Sequence, residues 1–241
     1  MYLTLDIGNS SAKLVLFKND RIVYKRVFKE LTVTQLKKVQ REYQPSTAII
    51  ATVVKNSREI IHQLNSSLKL IQFNSASLPI KNKYRSPETL GNDRLAGAVA
   101  AASIYPGKNV LIIDAGTCIK YDFVNSKNEY IGGSISPGLH MRYQALHTFT
   151  GKLPLVEPGR VPFLTGKNTR ESILSGVELG MQNEISGFIS LYRKKAKNLK
   201  LIMTGGDSSR FVRKLNLPIF AAPDLVNIGL KEILKFHDSK E

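Results

Sequence analysis

In "LTLDIGNS", residues 3–10, an apolar run ends on Asp6 and a glycine follows two residues later. The same order returns in "LIIDAGTC", residues 111–118, around Asp114. The two acids are 108 residues apart, and the two glycines keep that separation. A repeat of this kind predicts two related halves, each built around its own buried strand.

Each copy opens a series of three consecutive strands. In the first half these are "YLTLDIG", "SAKLVLFK" and "RIVYKRVF", with a tight turn at "KND", residues 18–20. In the second half, "NVLIIDAGTCIKYDFVNSKNEYIGGSIS", residues 109–136, repeats the strand, turn and strand order. The pattern predicts two antiparallel meanders of the same design.

Alternating strands and helices follow each meander. After the first we predict a helix over 31–44 ended by Pro45, a strand over 46–54, a helix over 57–68 and a strand over 69–74. After the second we predict a helix over 168–197, strands in 199–207 and 217–223, and a closing helix over 224–236. This order predicts an α/β protein of two related lobes, 1–106 and 107–241, each a mixed five-stranded sheet flanked by helices.

Composition limits the classes of function. With 241 residues and 42% hydrophobic content, the chain can bury a full core. It contains neither a run of about 18 apolar residues nor a signal-peptide pattern, so we expect a cytoplasmic protein with no membrane partner. The single cysteine, Cys118, excludes an internal disulfide and is expected to be a small buried hydrophobic residue.

The net charge of +16 favours phosphate-bearing partners. However, the basic residues are spread along the chain, and the densest run, "YRKKAKNLK" at 192–200, is typical of the solvated end of a helix. No aromatic side chains are interleaved there to stack on bases, so nucleic acid is not an expected partner. A polyphosphate small molecule needs only a local site.

The two acid-containing loops fit such a site. A carboxylate at the carboxyl end of a buried strand lies where open α/β sheets place ligands, and the glycine lets backbone N–H groups approach an anion. "DIGNSSAK" adds the polar side chains Asn9, Ser10 and Ser11 and the cation Lys13, while "DAGT" adds Thr117. One copy alone is equally typical of an ordinary turn. The duplication favours phosphate binding.

These loops, together with "TGGD" at 204–207, resemble the phosphate and adenosine motifs of the acetate and sugar kinase, heat-shock chaperone and actin superfamily. Four further motifs occur in the order and spacing of type III pantothenate kinases: "GNDR" at 91–94, "GGSISPG" at 132–138, "GKNTRESILSG" at 166–176 and "PDLVNIGL" at 223–230. The resemblance implies two ribonuclease-H-like lobes with the active site in the cleft between them.

The resemblance further implies phosphoryl transfer from ATP to pantothenate, the first step of coenzyme A synthesis, with Asp93 as the general base. It implies ATP contacts from Asp6, Ile7, Gly8, Asn9, Ser10, Ser11, Ala12, Lys13, Thr117, Gly205 and Gly206. Pantothenate contacts are implied for Tyr84, Gly91, Asn92, Asp93, Arg94 and Thr169, the last supplied across a homodimer interface. Asp6 is implied to associate with Mg²⁺, and Asp114 to bind a monovalent cation, K⁺ or NH₄⁺.

Simpler structural roles exist for three of these residues. Asp93 and Thr169 could each cap a helix, and Tyr84 could be a packing aromatic. The chain also departs from the family pattern at three positions. The family usually has threonine where Ser10 stands and alanine where Ser134 stands. It commonly has threonine near the position of Lys120. A lysine so close to the second loop could change the response to cations or the affinity for nucleotide.

Other chemistries fit the sequence less well. "TGKNT" at 165–169 lacks the first glycine of a P-loop, since Val161 stands there, and "GGSISPG" does not form a nucleophile elbow. The four histidines are too scattered for a metal cluster. Two alternatives stay open: a kinase of the same superfamily for another small hydroxyl substrate, and a non-catalytic regulator on this fold.

Overall fold

A computed structural model describes residues 1–52, 57–73 and 77–240, which fall into two compact units. The first unit comprises Met1–Gly107, Val124–Ile131 and Asp224–Glu241, and the second comprises Lys108–Phe123 and Gly132–Pro223. The closing helix and the segment Val124–Ile131 both belong to the first unit. Among the described residues, no helix is long and apolar enough to cross a membrane.

The first unit is built on a mixed sheet with the strand order β3-β2-β1-β4-β5. Its strands are β1 (Tyr2–Ile7), β2 (Ala12–Lys18), β3 (Arg21–Phe28), β4 (Thr47–Thr52) and β5 (Lys69–Ile71), and its helices are α1 (Val33–Tyr43), α2 (Arg58–Ser67), α3 (Asn92–Ile104) and α7 (Leu225–Asp238). The meander strands pair antiparallel, whereas β4 runs parallel to β1 and β5. The predicted elements of this half are confirmed, except that residues 53, 54 and 74 lie outside the described residues.

The second sheet has the order β11-β10-β7-β8-β9-β6. Its strands are β6 (Lys81–Asn82), β7 (Val110–Ala115), β8 (Cys118–Val124), β9 (Glu129–Pro137), β10 (Lys200–Thr204) and β11 (Ile219–Ala221), and the second unit carries helices α4 (Leu139–Thr148), α5 (Thr169–Lys195) and α6 (Ser208–Leu215). Five of these strands repeat the order of the first sheet. Strand β7, which bears Asp114, corresponds to β1; β8 and β9 correspond to β2 and β3, and β10 and β11 to β4 and β5. The sixth, β6, was not predicted, because a two-residue strand is too short to show a period.

The closing helix α7 docks tightly on α3. The α3 segment 95–102 is wholly buried, and its alanines and Gly97 present little side-chain bulk. A Cβ atom added at Gly229 of α7 would lie 1.7 Å from the carbonyl oxygen of Ala96. The two helix backbones therefore meet directly, and glycine is the residue that permits this approach.

Helix α1 begins with a capping box. The Thr32 hydroxyl accepts a hydrogen bond from the Gln35 N–H at 3.2 Å, and the Gln35 side chain accepts one from the Thr32 N–H at 3.0 Å. We expect Thr32→Ala to lower the free energy of unfolding by about 1 kcal/mol, since the Gln35 N–H loses its partner. Urea denaturation measures this, with the exposed Thr34→Ala in the same turn as the control. Equal effects of the two changes would contradict the capping role.

Candidate functional site

The first acid-containing loop is a four-residue connection between β1 and β2. The Gly8 N–H donates to the carbonyl of Ser11 at 3.0 Å, which closes the turn. The side chains of Asn9, Ser10 and Ser11 are exposed. A Cβ atom at Gly8 would make only ordinary contact, 3.6 Å from the nearest protein atom. Packing within the chain therefore does not demand glycine here, which is consistent with a loop kept open for a ligand.

Two lysines and two acids lie at this loop. Lys13 lies opposite Asp6 in the β1–β2 register. Its ammonium is 3.4 Å from the buried carboxylate of Asp224, whose other oxygen is 2.9 Å from the ammonium of Lys25. The two ammonium groups share the carboxylate of Asp224, and with the carboxylate of Asp6 the formal charges of these four groups sum to zero.

Asn227 supports the strands that carry the loop, a role that the sequence did not reveal. This fully buried amide donates to the hydroxyl of Thr4 at 3.1 Å and to the carbonyl of Lys13 at 3.3 Å. The motif "PDLVNIGL" thus acts through packing and polar contacts within the first unit. The only signal in the sequence was an asparagine within the matched motif. Nothing in the neighbouring residues indicates which groups its buried amide contacts.

The "GNDR" segment forms the start of α3. Gly91 is the N-cap, and Asp93 lies in the first turn. A Cβ at residue 91 would lie 2.4 Å from Oδ1 of Asp93, so the carboxylate turns back over the helix start. The alternative in which Asp93 is the N-cap of this helix is wrong, because Gly91 holds that position. A carboxylate at this position is also accessible enough to accept a proton, since its residue is only partly buried.

Arg94 and Tyr84 are brought together as the sequence suggested. Arg94 is buried, and its guanidinium carbon is 5.7 Å from the Tyr84 ring centroid and 6.0 Å from that of Tyr130. The two rings are 6.1 Å apart. Such cation–π contacts hold the guanidinium of Arg94, the residue that follows Asp93, in one position. Tyr130 was missed, because it comes from β9, far away in the sequence.

The second acid-containing loop is a two-residue connection between β7 and β8. The Gly116 N–H donates to the carbonyl of Cys118 at 3.2 Å. The carboxylate of Asp114 is paired with Lys120, whose Nζ lies 2.7 Å from its Oδ2. Cys118 is only partly buried, so the expectation of a buried cysteine is corrected. The turn places its side chain near the strand end, where β8 is not fully covered.

Two glycine motifs pack on this loop. A Cβ at Gly138, from "GGSISPG", would lie 2.2 Å from the carbonyl oxygen of Gly116. Gly205, from "TGGD", has φ of +92°, and its Cβ would lie 2.3 Å from the carbonyl oxygen of Ala115. Both positions exclude larger residues. The predicted members Asp114, Thr117, Gly205 and Gly206 therefore belong to one local cluster within the second unit.

Asp207 completes this cluster. Its N–H donates to the carbonyl of Ala115 at 3.0 Å. Burial raises the pKa of the Asp207 carboxyl above its ordinary value, while the charges of His140 and Arg210 act in the opposite direction.

Thr169 is the first residue of α5. The N-cap is its neighbour Asn168, whose side chain accepts a hydrogen bond from the Glu171 N–H at 2.9 Å. The alternative in which Thr169 caps this helix is therefore wrong. The hydroxyl of Thr169 is not used for that purpose, and the residue is exposed.

The expected metals differ in how well they fit. Within 1–52, 57–73 and 77–240, no three His, Cys, Asp or Glu side chains group as a metal site. Nucleotide-bound Mg²⁺ needs only one or two protein carboxylates, because phosphates and water complete its shell, so Asp6 fits. Asp114 fits a free monovalent cation poorly, since an ammonium group already contacts its carboxylate.

Comparisons with known proteins agree with the predicted resemblance. A family model described as type III pantothenate kinase matches residues 2–191. A type III pantothenate kinase of Bacteroides fragilis (strain YCH46) is 44% identical over 243 residues, with 100% of both chains covered. The motif-based resemblance is confirmed.

Two solved structures bear on the fold alone. A Campylobacter jejuni protein assigned to the Baf family of transcriptional activators has a TM-score of 0.63 at 22% identity, covering 98% of this chain and 99% of that one. An inorganic polyphosphate/ATP-glucomannokinase from Arthrobacter sp. strain KM has a TM-score of 0.51 at 14% identity, covering 99% and 98%. The predicted fold class is confirmed.

Proposed function

Because the chain belongs to the type III pantothenate kinase family, we propose that it catalyses ATP-dependent phosphorylation of pantothenate, the first step of coenzyme A biosynthesis, with the residue roles below. The full-length match at 44% identity to a curated enzyme of that name carries the assignment. In the reaction, the primary hydroxyl oxygen of pantothenate bonds to the γ-phosphorus as the bond to the ADP oxygen breaks. The hydroxyl proton passes to a carboxylate.

We assign that carboxylate to Asp93. Support comes from its place in the matched motif "GNDR" and from its position at the open end of α3, where the helix dipole favours a negative charge. Tyr84, Gly91, Asn92 and Arg94 are proposed to contact pantothenate. The buried guanidinium of Arg94, held by the rings of Tyr84 and Tyr130, is suited to bind a carboxylate-bearing substrate.

The ATP phosphates are assigned to the first loop, residues 6–13, where backbone N–H groups, hydroxyls and the ammonium of Lys13 supply donors. Asp6 is assigned to Mg²⁺, which when bound neutralises phosphate charge. Thr117, Gly205 and Gly206 are assigned to further ATP contacts. The last element assigned to the ATP site is a single positive charge beside Asp114. The family resemblance attributes this charge to K⁺ or NH₄⁺.

A panel of acceptors separates this function from that of a superfamily kinase with another substrate. We expect ADP release from ATP and Mg²⁺ to depend on pantothenate, and glucose, mannose and N-acetylmannosamine to give only the background rate. A rate with any of these sugars equal to that with pantothenate would overturn the assignment. If no acceptor, pantothenate included, gives ADP release above background, the result would favour a non-catalytic regulator.

We also propose a homodimer in the cytoplasm, where ATP is available. The exposed Thr169 would then serve the substrate site of the partner subunit. Light scattering after size exclusion measures the oligomeric state, and a monomeric mass at working concentration would contradict this part of the proposal. Nucleic acid and membrane are not among the proposed partners.

A further inference from the structure

Each meander places a lysine opposite its acid. In the first unit the register pairs Asp6 with Lys13. In the second unit, counting two residues outward from the Gly116–Cys118 hydrogen bond reaches Asp114 and Lys120. A two-residue connection makes this pair of strands antiparallel, so the two side chains stand side by side on one face of the sheet.

The ammonium groups of the two lysines contact different kinds of partner. The ammonium of Lys13 is directed to Asp224, 3.4 Å away. The ammonium of Lys120 contacts the acid of its own loop, Asp114, at 2.7 Å, and the two side chains are only 17% and 21% exposed. This distance is that of a charge-assisted hydrogen bond, and the low exposure reduces screening by water and salt.

The other oxygen of the Asp114 carboxylate is also confined. A Cβ at Gly205 would lie 2.6 Å from Oδ1, so this oxygen lies against the "TGGD" backbone. With Oδ2 on the ammonium of Lys120, a free cation at Asp114 would have to share the carboxylate with a like charge.

We propose that the ammonium of Lys120 supplies, from within the chain, the single positive charge that K⁺ or NH₄⁺ would supply at Asp114. A lysine ammonium carries the same charge as NH₄⁺ and donates the same kind of hydrogen bond. The inference rests on the proposed role of Asp114 in ATP handling. It makes Lys120 a positioning residue for that carboxylate and makes the kinase independent of added monovalent cation.

The test compares the full-length wild type with Lys120→Met in choline, sodium and potassium chloride at equal ionic strength. We expect pantothenate-dependent ADP release by the wild type to change by less than about twofold among these salts. We expect Lys120→Met to lose activity by about 10²-fold in choline, the scale for removing one charge-stabilising group, and to regain it in potassium. Its ATP affinity by calorimetry should likewise become potassium-dependent.

The controls separate the possible outcomes. Lys200→Met changes an exposed lysine at the opposite end of the same sheet, four residues along β10 from the level of Asp114, and should behave as wild type. A wild type stimulated tenfold or more by potassium over choline, or Lys120→Met that folds but is not rescued by potassium, would overturn the inference. If Lys120→Met fails to fold, the dependence of the wild-type rate on added cation still tests the inference. Absence of pantothenate-dependent turnover in every salt would instead defeat the proposed function.

Discussion

Replacing Asp93 by asparagine lowers kcat by about 10²–10⁴-fold, the range for loss of a positioned general base, while the KM for ATP changes little. Asparagine has nearly the same shape and still accepts hydrogen bonds at a helix start, so the fold is retained. A purely electrostatic role in the first turn of α3 would give a different result: a loss of about 1 kcal/mol or less in stability and no selective effect on kcat.

The measurement is steady-state ADP release with saturating pantothenate, together with urea denaturation of both proteins. Glu88→Gln is the matched control, because it makes the same change of charge at an exposed acid just before α3. If Asp93→Asn keeps more than about a third of the wild-type kcat, proton transfer to Asp93 is not part of the rate enhancement, which should be at least about 10²-fold.

Replacing Gly229 by alanine destabilises the protein by about 2–3 kcal/mol, near the upper end of the cost of overpacking. The added methyl would lie 1.7 Å from the Ala96 carbonyl oxygen and 2.5 Å from its carbon. Both are backbone atoms of α3, so a whole helix must shift to relieve the clash. We expect Tm to fall by about 5–10 °C, given the usual conversion for chains of this size.

The opposite sign is expected for the same substitution at Gly187, within α5. That glycine is exposed and its Cβ would meet no atom within 4 Å. Gly187→Ala should therefore stabilise by about 0.5–1 kcal/mol, because alanine restricts the unfolded chain. Equal denaturation midpoints for the two variants would show that α7 and α3 do not meet as closely as described.

The strands, most helices and the two acid loops could be predicted because their signals are local. Alternation and helical spacing identify β1 to β3 and α1, and the turn at Asn19 and Asp20 has positive φ at both residues, as an "ND" hairpin turn favours. The repeat of Asp6 at Asp114 then predicted two sheets of one design. Helices α4 and α6 were missed; α4 has little amphipathic pattern.

The contacts that support the candidate site could not be predicted, because their members are far apart in the chain. Asn227 reaches Thr4 across 223 residues, and no period relates such positions. Tyr130 meets Arg94 only once β9 has folded. Lys120 was noticed as a departure from the family pattern, but its ion pair with Asp114 depends on the register of β7 and β8.

Product analysis by mass spectrometry tests whether the protein phosphorylates pantothenate. The purified full-length protein is incubated with ATP, Mg²⁺ and pantothenate, and both ADP and the acceptor are measured. We expect pantothenate carrying one phosphoryl group on its primary hydroxyl, formed in equal amount to ADP and at a rate that falls to background without pantothenate. ADP formed equally fast without pantothenate, with the acceptor unmodified, would contradict it.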